Sequence, residues 1–335
     1  MLKCVLIGAG YIAQNHVDAL ISNPDTELVG VVCRKPEHAR WIEERVPSCR
    51  YFSTFEEAWK ATKPDFADIT TPTDTHEQYV VLAAKLGCHV FCEKPATFTA
   101  ESFDRMCKAC NDAGVKFMIA QVVRFLAYPK KVKEWISEEK LGSIHMYYQK
   151  RLCQHPTWST WHRDPAISGG ALYDLHVHDL DFIYSLFGLP SEVFASGWKS
   201  PSGCWNHVVS NLKWKNGMTA VCEGCIEMTG NFPFSVEIRA DGDMGTLHHV
   251  QTAGANINDG QEQLSLTWYP ADSAEAEKIA VEPNDGFAEE LGAFIDSING
   301  NKDVPIAQEE IRDVLSIIEA LKQSLETGKV VSVRK

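Results

Sequence analysis

The sequence lacks a long apolar run. Nothing in it approaches the roughly 20 residues a membrane-spanning helix needs, so no membrane partner is expected. Positive charge is also scarce. Lys and Arg number 32 against 45 Asp and Glu, a formal net charge of -13. A chain with that balance offers no broad basic face to a polyanion, which argues against nucleic acid as a partner. Internal repeats and low-complexity linkers are missing, which excludes solenoid arrays and disordered spacers. Lys3 and the run Cys4 to Ala13 lack the n-region and cleavage site of a signal peptide, and embedded glycines point instead to a first core strand. The 11 Cys are odd in number and scattered, often inside apolar runs such as Cys88 to Cys92. That usage reads as reduced thiols, and a cytoplasmic location is expected.

What is present is a chain of 335 residues, 44% hydrophobic and 23% charged. Those values suit an ordinary globular protein, and the length suits two domains. The first third alternates short apolar runs with helical patterns. Strands are expected at Lys3–Ile7, Glu27–Val32, Asp65–Ile69, Cys88–Cys92 and Lys116–Ala120. Helices are expected at Tyr11–Ser22, Pro36–Val46, Phe55–Ala61, His76–Leu86 and Ala100–Ala113. Strands apolar throughout are those covered on both faces, so the alternation predicts a doubly wound parallel sheet of the Rossmann type.

The pattern changes after about residue 122. A helix is expected at Tyr128–Glu139, a long strand at Ser143–Leu152, and one continuous helix at Gly170–Leu186, stopped by Gly188 and Pro190. Strand-like runs follow at Glu192–Trp198, His207–Trp214, Thr219–Met228, Phe234–Ala240 and Gln263–Trp268. Asn216-Gly217 and Asp241-Gly242 read as turns between them. Two helices, Gly286–Ile298 and Gln308–Glu326, close the chain. The expected architecture is α/β, with residues 1–122 as the dinucleotide-binding domain. Residues 123–335 form an α+β domain with a large, mostly antiparallel sheet.

The first strand runs straight into Gly8-Ala9-Gly10-Tyr11-Ile12-Ala13 and then a helix. This is the G-x-G-x-x-G/A pattern in the strand–turn–helix context that gives it meaning. Gly8 permits the tight turn, Gly10 lets backbone approach a pyrophosphate, and the helix N-terminus faces the phosphates. The second strand ends in Cys33-Arg34-Lys35, without the carboxylate that would bind a ribose 2′-hydroxyl. A guanidinium there matches a 2′-phosphate, so the expected cofactor is NADP or NAD, with NADP preferred.

Glu93-Lys94-Pro95 ends the strand Cys88–Cys92. Ligands of open α/β sheets bind beyond the carboxyl ends of the strands, which gives Lys94 a place near them. Asp174 and His178 are four residues apart in the expected helix, so a carboxylate lies over an imidazole on one face. That pair suits a base for a hydroxyl proton, although an ordinary surface ion pair has the same spacing. The loop Cys153–Ser168 carries His155, Trp158, Trp161, His162, Arg163 and Asp164. Indole faces and polar tips suit a small polyhydroxylated ligand, and burial of the tryptophans under the sheet is the alternative. His176-Val177-His178-Asp179 has the look of a metal cluster, but no clear third ligand shares a face, so no metal is expected. The C-x-x-C pairs Cys107/Cys110 and Cys222/Cys225 read as core packing.

These motifs resemble the Gfo/Idh/MocA oxidoreductases, the group of glucose–fructose oxidoreductase and inositol dehydrogenase. The residues that carry the likeness are the glycine turn, Thr71-Pro72 with His76, Gly87-Cys88-His89-Val90 leading to Glu93-Lys94-Pro95, and Ser168 through Asp179. It resumes in Gly286–Asn299 and Ser324 through Lys329. The resemblance implies Lys94, Asp174 and His178 as the catalytic set. It implies hydride transfer between nicotinamide and a carbinol carbon of a sugar, inositol or related polyol. Gly8, Gly10, Cys33, Arg34, Glu93 and Lys94 are the cofactor contacts expected from the motifs above, and the resemblance adds Tyr11, Ile12, Thr71, Pro72, His76 and Gln121. Trp161, His162, Arg163 and His176 are expected at the substrate, His176 standing where many relatives carry glycine. A homodimer or homotetramer paired through the second-domain sheet is implied as well. An NAD-dependent glycosidase on the same fold and a non-catalytic dinucleotide-binding sensor remain alternatives.

Overall fold

The computed structural model describes residues 1–155, 161–254 and 263–334, apart from the side chain of His162. Trp158 of the aromatic loop lies outside the described residues, as does the side chain of His162. Two compact units are present. One comprises Met1–Phe125 with Asp285–Arg312, the other Leu126–Asn284 with Asp313–Lys335. The single boundary expected near residue 122 is thus accompanied by a return of the chain to the first unit.

The first unit alternates strands and helices: β1 (Leu2–Ile7), α1 (Ala13–Ser22), β2 (Thr26–Val32), α2 (Pro36–Arg45), β3 (Arg50–Phe52), α3 (Phe55–Thr62), β4 (Phe66–Ile69), α4 (His76–Lys85), β5 (His89–Cys92), α5 (Ala100–Ala113) and β6 (Phe117–Ile119). Two of the helices start where the sequence supplies an acceptor. Thr54 accepts from Glu57 N–H ahead of α3, and Thr99 accepts from Ser102 N–H ahead of α5. Gly114, with φ 66°, ends α5 in the left-handed region. The strands pair in parallel in the order β3-β2-β1-β4-β5-β6. This order is that of a dinucleotide-binding sheet, and it reverses direction between β1 and β4, where such sheets open a crevice for ligand. β3 is the strand that the apolar pattern did not announce. Its three residues lie at the sheet edge, too few to show a period.

The second unit begins with α6 (Ala127–Ser137) and β7 (Ile144–Leu152). Three helical segments follow, α7 (Pro165–Ser168), α8 (Ala171–Asp174) and α9 (His176–Phe187). Then come β8 (Glu192–Lys199), β9 (Trp205–Lys213), β10 (Thr219–Cys225), β11 (Ser235–Gly242), β12 (Gly245–Thr252), β13 (Gln263–Pro270) and β14 (Glu277–Lys278). The chain closes with α10 (Gly286–Asn299), α11 (Gln308–Thr327) and β15 (Val331–Ser332). The sheet order is β14-β13-β12-β11-β7-β10-β9-β8-β15. Every neighbouring pair is antiparallel except β7 with β10.

Several expectations are corrected here. The helix expected over Gly170–Leu186 is broken, with α8 ending at Asp174 and α9 starting at His176 on either side of Leu175. β12 was not expected. It forms a hairpin with β11 in which Gly242 pairs with Gly245, so the turn is Asp243-Met244, two residues beyond the Asp241-Gly242 signal. α10 belongs to the first unit because its apolar stripe packs on that sheet's core. The Phe294 ring lies 5.3 Å from Phe91 and 5.9 Å from Phe66. Among the described residues, no helix is long and apolar enough to cross a membrane.

Candidate functional site

In the first unit the candidate site forms at the carboxyl ends of β1, β4 and β5. Gly8 has φ 110°, and a Cβ there would come 2.7 Å from the Thr70 carbonyl oxygen. The Thr70 hydroxyl donates to the carbonyls of Ile7 and Gly8 at 3.3 and 3.2 Å, which holds the β1 and β4 ends together. Gly8 is therefore required by the protein's own packing. Gly10 is different. A Cβ on it would meet no atom within 4 Å, so its absence leaves room for something other than the protein. The N-cap of α1 is Ile12, which supplies no side-chain acceptor. An exposed glycine turn feeding an uncapped helix start fits a dinucleotide pyrophosphate.

The expected cofactor contacts divide into two sets. Gly10, Tyr11 and Arg34 are exposed, and Gly8, Ile12, Cys33, Thr71, Pro72 and Lys94 are half-buried. These nine keep surface for a ligand. His76, Glu93 and Gln121 are buried and turned inward. The ring nitrogens of His76 lie 2.9 Å from the Pro95 carbonyl and 2.8 Å from the Thr71 carbonyl, so this imidazole ties the loop after β4 to the loop after β5. Burial lowers its pKa. Gln121 donates its backbone N–H to the buried Glu290 carboxylate of α10.

Glu93 takes part in an arrangement that inspection of the motifs missed. The His16 imidazole, 2% exposed, donates from Nδ1 to Asp68 at 2.9 Å and from Nε2 to Glu93 Oε1 at 3.0 Å. Ionised carboxylates only accept, so both ring nitrogens carry protons and the ring is an imidazolium. Burial works against this charge, but the Asp68 and Glu93 carboxylates override it and raise the His16 pKa from 6.5 to about 10. Burial likewise disfavours the Glu93 charge, yet the His16 hydrogen bond brings the net shift downward. The second Glu93 oxygen accepts the Lys94 backbone N–H at 2.9 Å.

In the second unit, Asp174 closes α8 and His178 lies in the first turn of α9, both half-buried. The segment is fastened from the sheet. Gly169 and Gly170 have φ 69° and 72°, and a Cβ on Gly170 would come 2.6 Å from Cys204 Cβ. Asn206 of β9 accepts from Ala171 N–H at 3.1 Å and so caps α8. His176 is a correction to the expected substrate contacts. It is fully buried, with Nε2 2.8 Å from the Ser210 hydroxyl of β9. It lies over Gly224, where a Cβ would come 2.7 Å from its Nδ1. Burial lowers its pKa to about 4, so it is a neutral packing group with no surface for a substrate. The break at Leu175 turns it inward between Asp174 and His178.

Below it, Asp179 is fully buried and accepts from Gln149 at 2.6 Å and from Arg151 Nη2 at 2.9 Å. Removing one member of such a buried ion pair costs about 3–5 kcal/mol, so this contact anchors α9 on β7. Ligand atoms of His176, Asp179 and Cys222 lie within 4.8 Å of one another. The Arg151 guanidinium already neutralises the Asp179 carboxylate there. Trp161 and Arg163 sit in a short turn at 161–163, Trp161 half-buried, with the exposed Arg163 Nε 3.3 Å from His155 Nε2. Burial pushes the Cys107 and Cys110 thiols up to about 12 and Cys222 well above its usual value. Neutral thiols of this kind suit packing, not nucleophilic or redox work.

Two family models match the chain. Residues 2–121 match the oxidoreductase family described by its NAD-binding Rossmann fold, and residues 130–248 match the GFO/IDH/MocA C-terminal domain. The chain belongs to the Gfo/Idh/MocA oxidoreductase family. Among relatives, it is 28% identical over 193 residues to D-glucoside 3-dehydrogenase of Escherichia coli K12, covering 57% of this chain and 55% of that one. The chain thus spans about half the length of that relative. It is 24% identical over 349 residues to myo-inositol 2-dehydrogenase of Thermotoga maritima, covering 100% of this chain and 99% of that one. The fold is that of aldose-aldose oxidoreductase from Caulobacter crescentus, with a TM-score of 0.86, 20% identity and 99% of each chain covered.

Two measurements follow from the first-unit geometry. Gly10→Ala is expected to fold with an unchanged Tm and to lose dinucleotide binding by about tenfold or more, since its methyl group occupies ligand space. Gly8→Ala is expected to lower Tm by several degrees as well, because its methyl group meets Thr70. Thermal melts and dinucleotide titrations check both, and equal Tm losses in the two variants would contradict the assignment. The His16 imidazolium also makes stability pH-dependent. Its folded pKa lies above the unfolded value, so its contribution is full below pH 6.5 and is lost as pH rises toward about 10. Tm should fall between pH 7 and pH 10, and a Tm that rises across that window would be inconsistent with a protonated His16.

Proposed function

We propose that the chain is an NAD(P)-dependent oxidoreductase acting on a CH–OH carbon of a sugar, inositol or related polyol. The observation that carries the reading is the open space over Gly10 at the end of β1, in a sheet of dinucleotide-binding order. Membership of an oxidoreductase family and the sugar and inositol dehydrogenases among its relatives support the substrate class.

The nicotinamide supplies the redox chemistry when bound. The residues of the chain handle the proton and the developing charge. In the oxidative direction His178 takes the proton of the carbinol oxygen as general base. Lys94 donates a hydrogen bond to that oxygen and stabilises the charge it acquires. Asp174 orients the imidazole or holds a neighbouring hydroxyl. Trp161 and Arg163, in the short turn at 161–163, contact the substrate. Arg34, exposed just beyond the end of β2, carries a guanidinium that matches a 2′-phosphate, and that chemistry supports NADP over NAD.

The test is a panel of sugars, inositols and sugar acids, screened for NADH and NADPH fluorescence with both cofactors. Lys94→Ala should lower kcat on the best substrate by about 100-fold, the loss typical of one charge-stabilising donor. Wild-type turnover in that variant would overturn the assignment of Lys94. Arg34→Ala should raise KM for the phosphorylated cofactor about tenfold and leave the other unchanged. Equal effects on the two would remove the NADP preference.

A further inference from the structure

We infer that His16 is a positioning residue for Lys94, acting through the Glu93 side chain. The inference rests on the proposed role of Lys94, and the residue it adds, His16, belongs to none of the motifs. Three bonds define the geometry. His16 Nε2 donates to Glu93 Oε1 at 3.0 Å, His16 Nδ1 donates to Asp68 at 2.9 Å, and Lys94 N–H donates to Glu93 Oε2 at 2.9 Å.

The last of these is a side chain bending back onto the next residue's amide. It sets the orientation of the peptide from which the Lys94 side chain departs. The Glu93 carboxylate is buried, so it stays in that pose only while its other oxygen has a partner. His16 is that partner. Asp68 in turn holds the imidazole from its far nitrogen, and the rings of Phe91 and Phe287, with centroids 5.7 and 6.0 Å away, flank it. With the imidazole in place, the space beside the ring, lined by Ala19, Phe91, Phe287, Glu290 and Leu291, has no room for a water. Because His16 lies on α1, the helix that follows the glycine turn, and Asp68 and Glu93 on β4 and at the end of β5, the chain of bonds runs across three elements to one amide. Without the imidazole, Glu93 takes up a proton or rotates away, and the Lys94 amide is released.

The experiment uses the full-length protein with His16→Gln. Hydrogen exchange of the Lys94 amide, followed at that residue by NMR, should accelerate about tenfold in the variant. The amides of β1 and β6 should keep their wild-type rates. On the substrate found by the panel, kcat should fall about tenfold with KM for the dinucleotide within threefold of wild type. Glu93→Gln should release the same amide, since one carboxamide oxygen serves only one of the two donors well. Uniform acceleration across all strand amides would mean that His16 only supports the fold, and would overturn the inference. So would a Lys94 amide that exchanges at the wild-type rate in both variants. Exchange needs no turnover, so it decides the inference even if Lys94→Ala shows that the assigned role of Lys94 fails. A released amide with unchanged kcat, in a protein where Lys94→Ala is inactive, would overturn the positioning role alone.

Discussion

An imidazolium held between two buried carboxylates makes the ends of β4 and β5 behave as one piece. Burial works against the charge on that ring, and the carboxylates of Asp68 and Glu93 on its two nitrogens offset the cost. Around that cluster the first unit arranges its other loop ties. Thr70 joins the glycine turn to β4, and His76 joins the loop after β4 to Pro95. The ends of β1, β4 and β5 are therefore cross-braced by the protein's own contacts. Rigid placement of this kind lets binding energy go into the reaction and not into ordering loops.

The second unit solves a similar problem with neutral groups and one buried ion pair. Its Asp174 and His178 stand on two short helices that meet at Leu175, and a break in a helix needs fastening on both sides. Asn206 and Ser210, both on the inward face of β9, hold the start of α8 and the His176 ring. Gly224 provides the hollow for that ring. The Asp179–Arg151 pair then fixes the next turn to β7. A polar residue every few positions is thus committed to the sheet.

Much of this was legible in the sequence. Parallel strands covered on both faces leave uninterrupted apolar runs, so the order of elements in the first unit could be read almost residue by residue, α5 included. Short edge strands such as β3 carry no period, and β12 hides behind the polar run His248-His249. The break at Leu175 left no trace because no Gly or Pro marks it; it is a tertiary effect of the contacts beneath. Candidate residues were harder to assign. Motif spacing located His76, Glu93 and His176 correctly in the chain but not their direction, and all three face inward. His16 had a visible signal. It is a polar residue on the stripe Ala13, Val17, Leu20, just as Asp68 is an acid inside Phe66-Ala67-Ile69. Two ionisable residues at positions the pattern assigns to the core implied that each had a partner.

The one parallel pairing in the large sheet, β7 beside β10, has a kinetic corollary. Those neighbours are joined by the whole stretch from residue 153 to 218, which contains α7, α8, α9 and the β8–β9 hairpin. Closing so long a connection costs chain entropy before any contact returns it, so non-local pairings of this kind form slowly. The helices bearing Asp174 and His178 lie within that excursion, and they acquire their fastenings on β9 only once the strand is in register. Nascent chains released before β10 is available would carry this helical segment still unanchored, and would lack α10, whose Phe294 completes the core of the first unit.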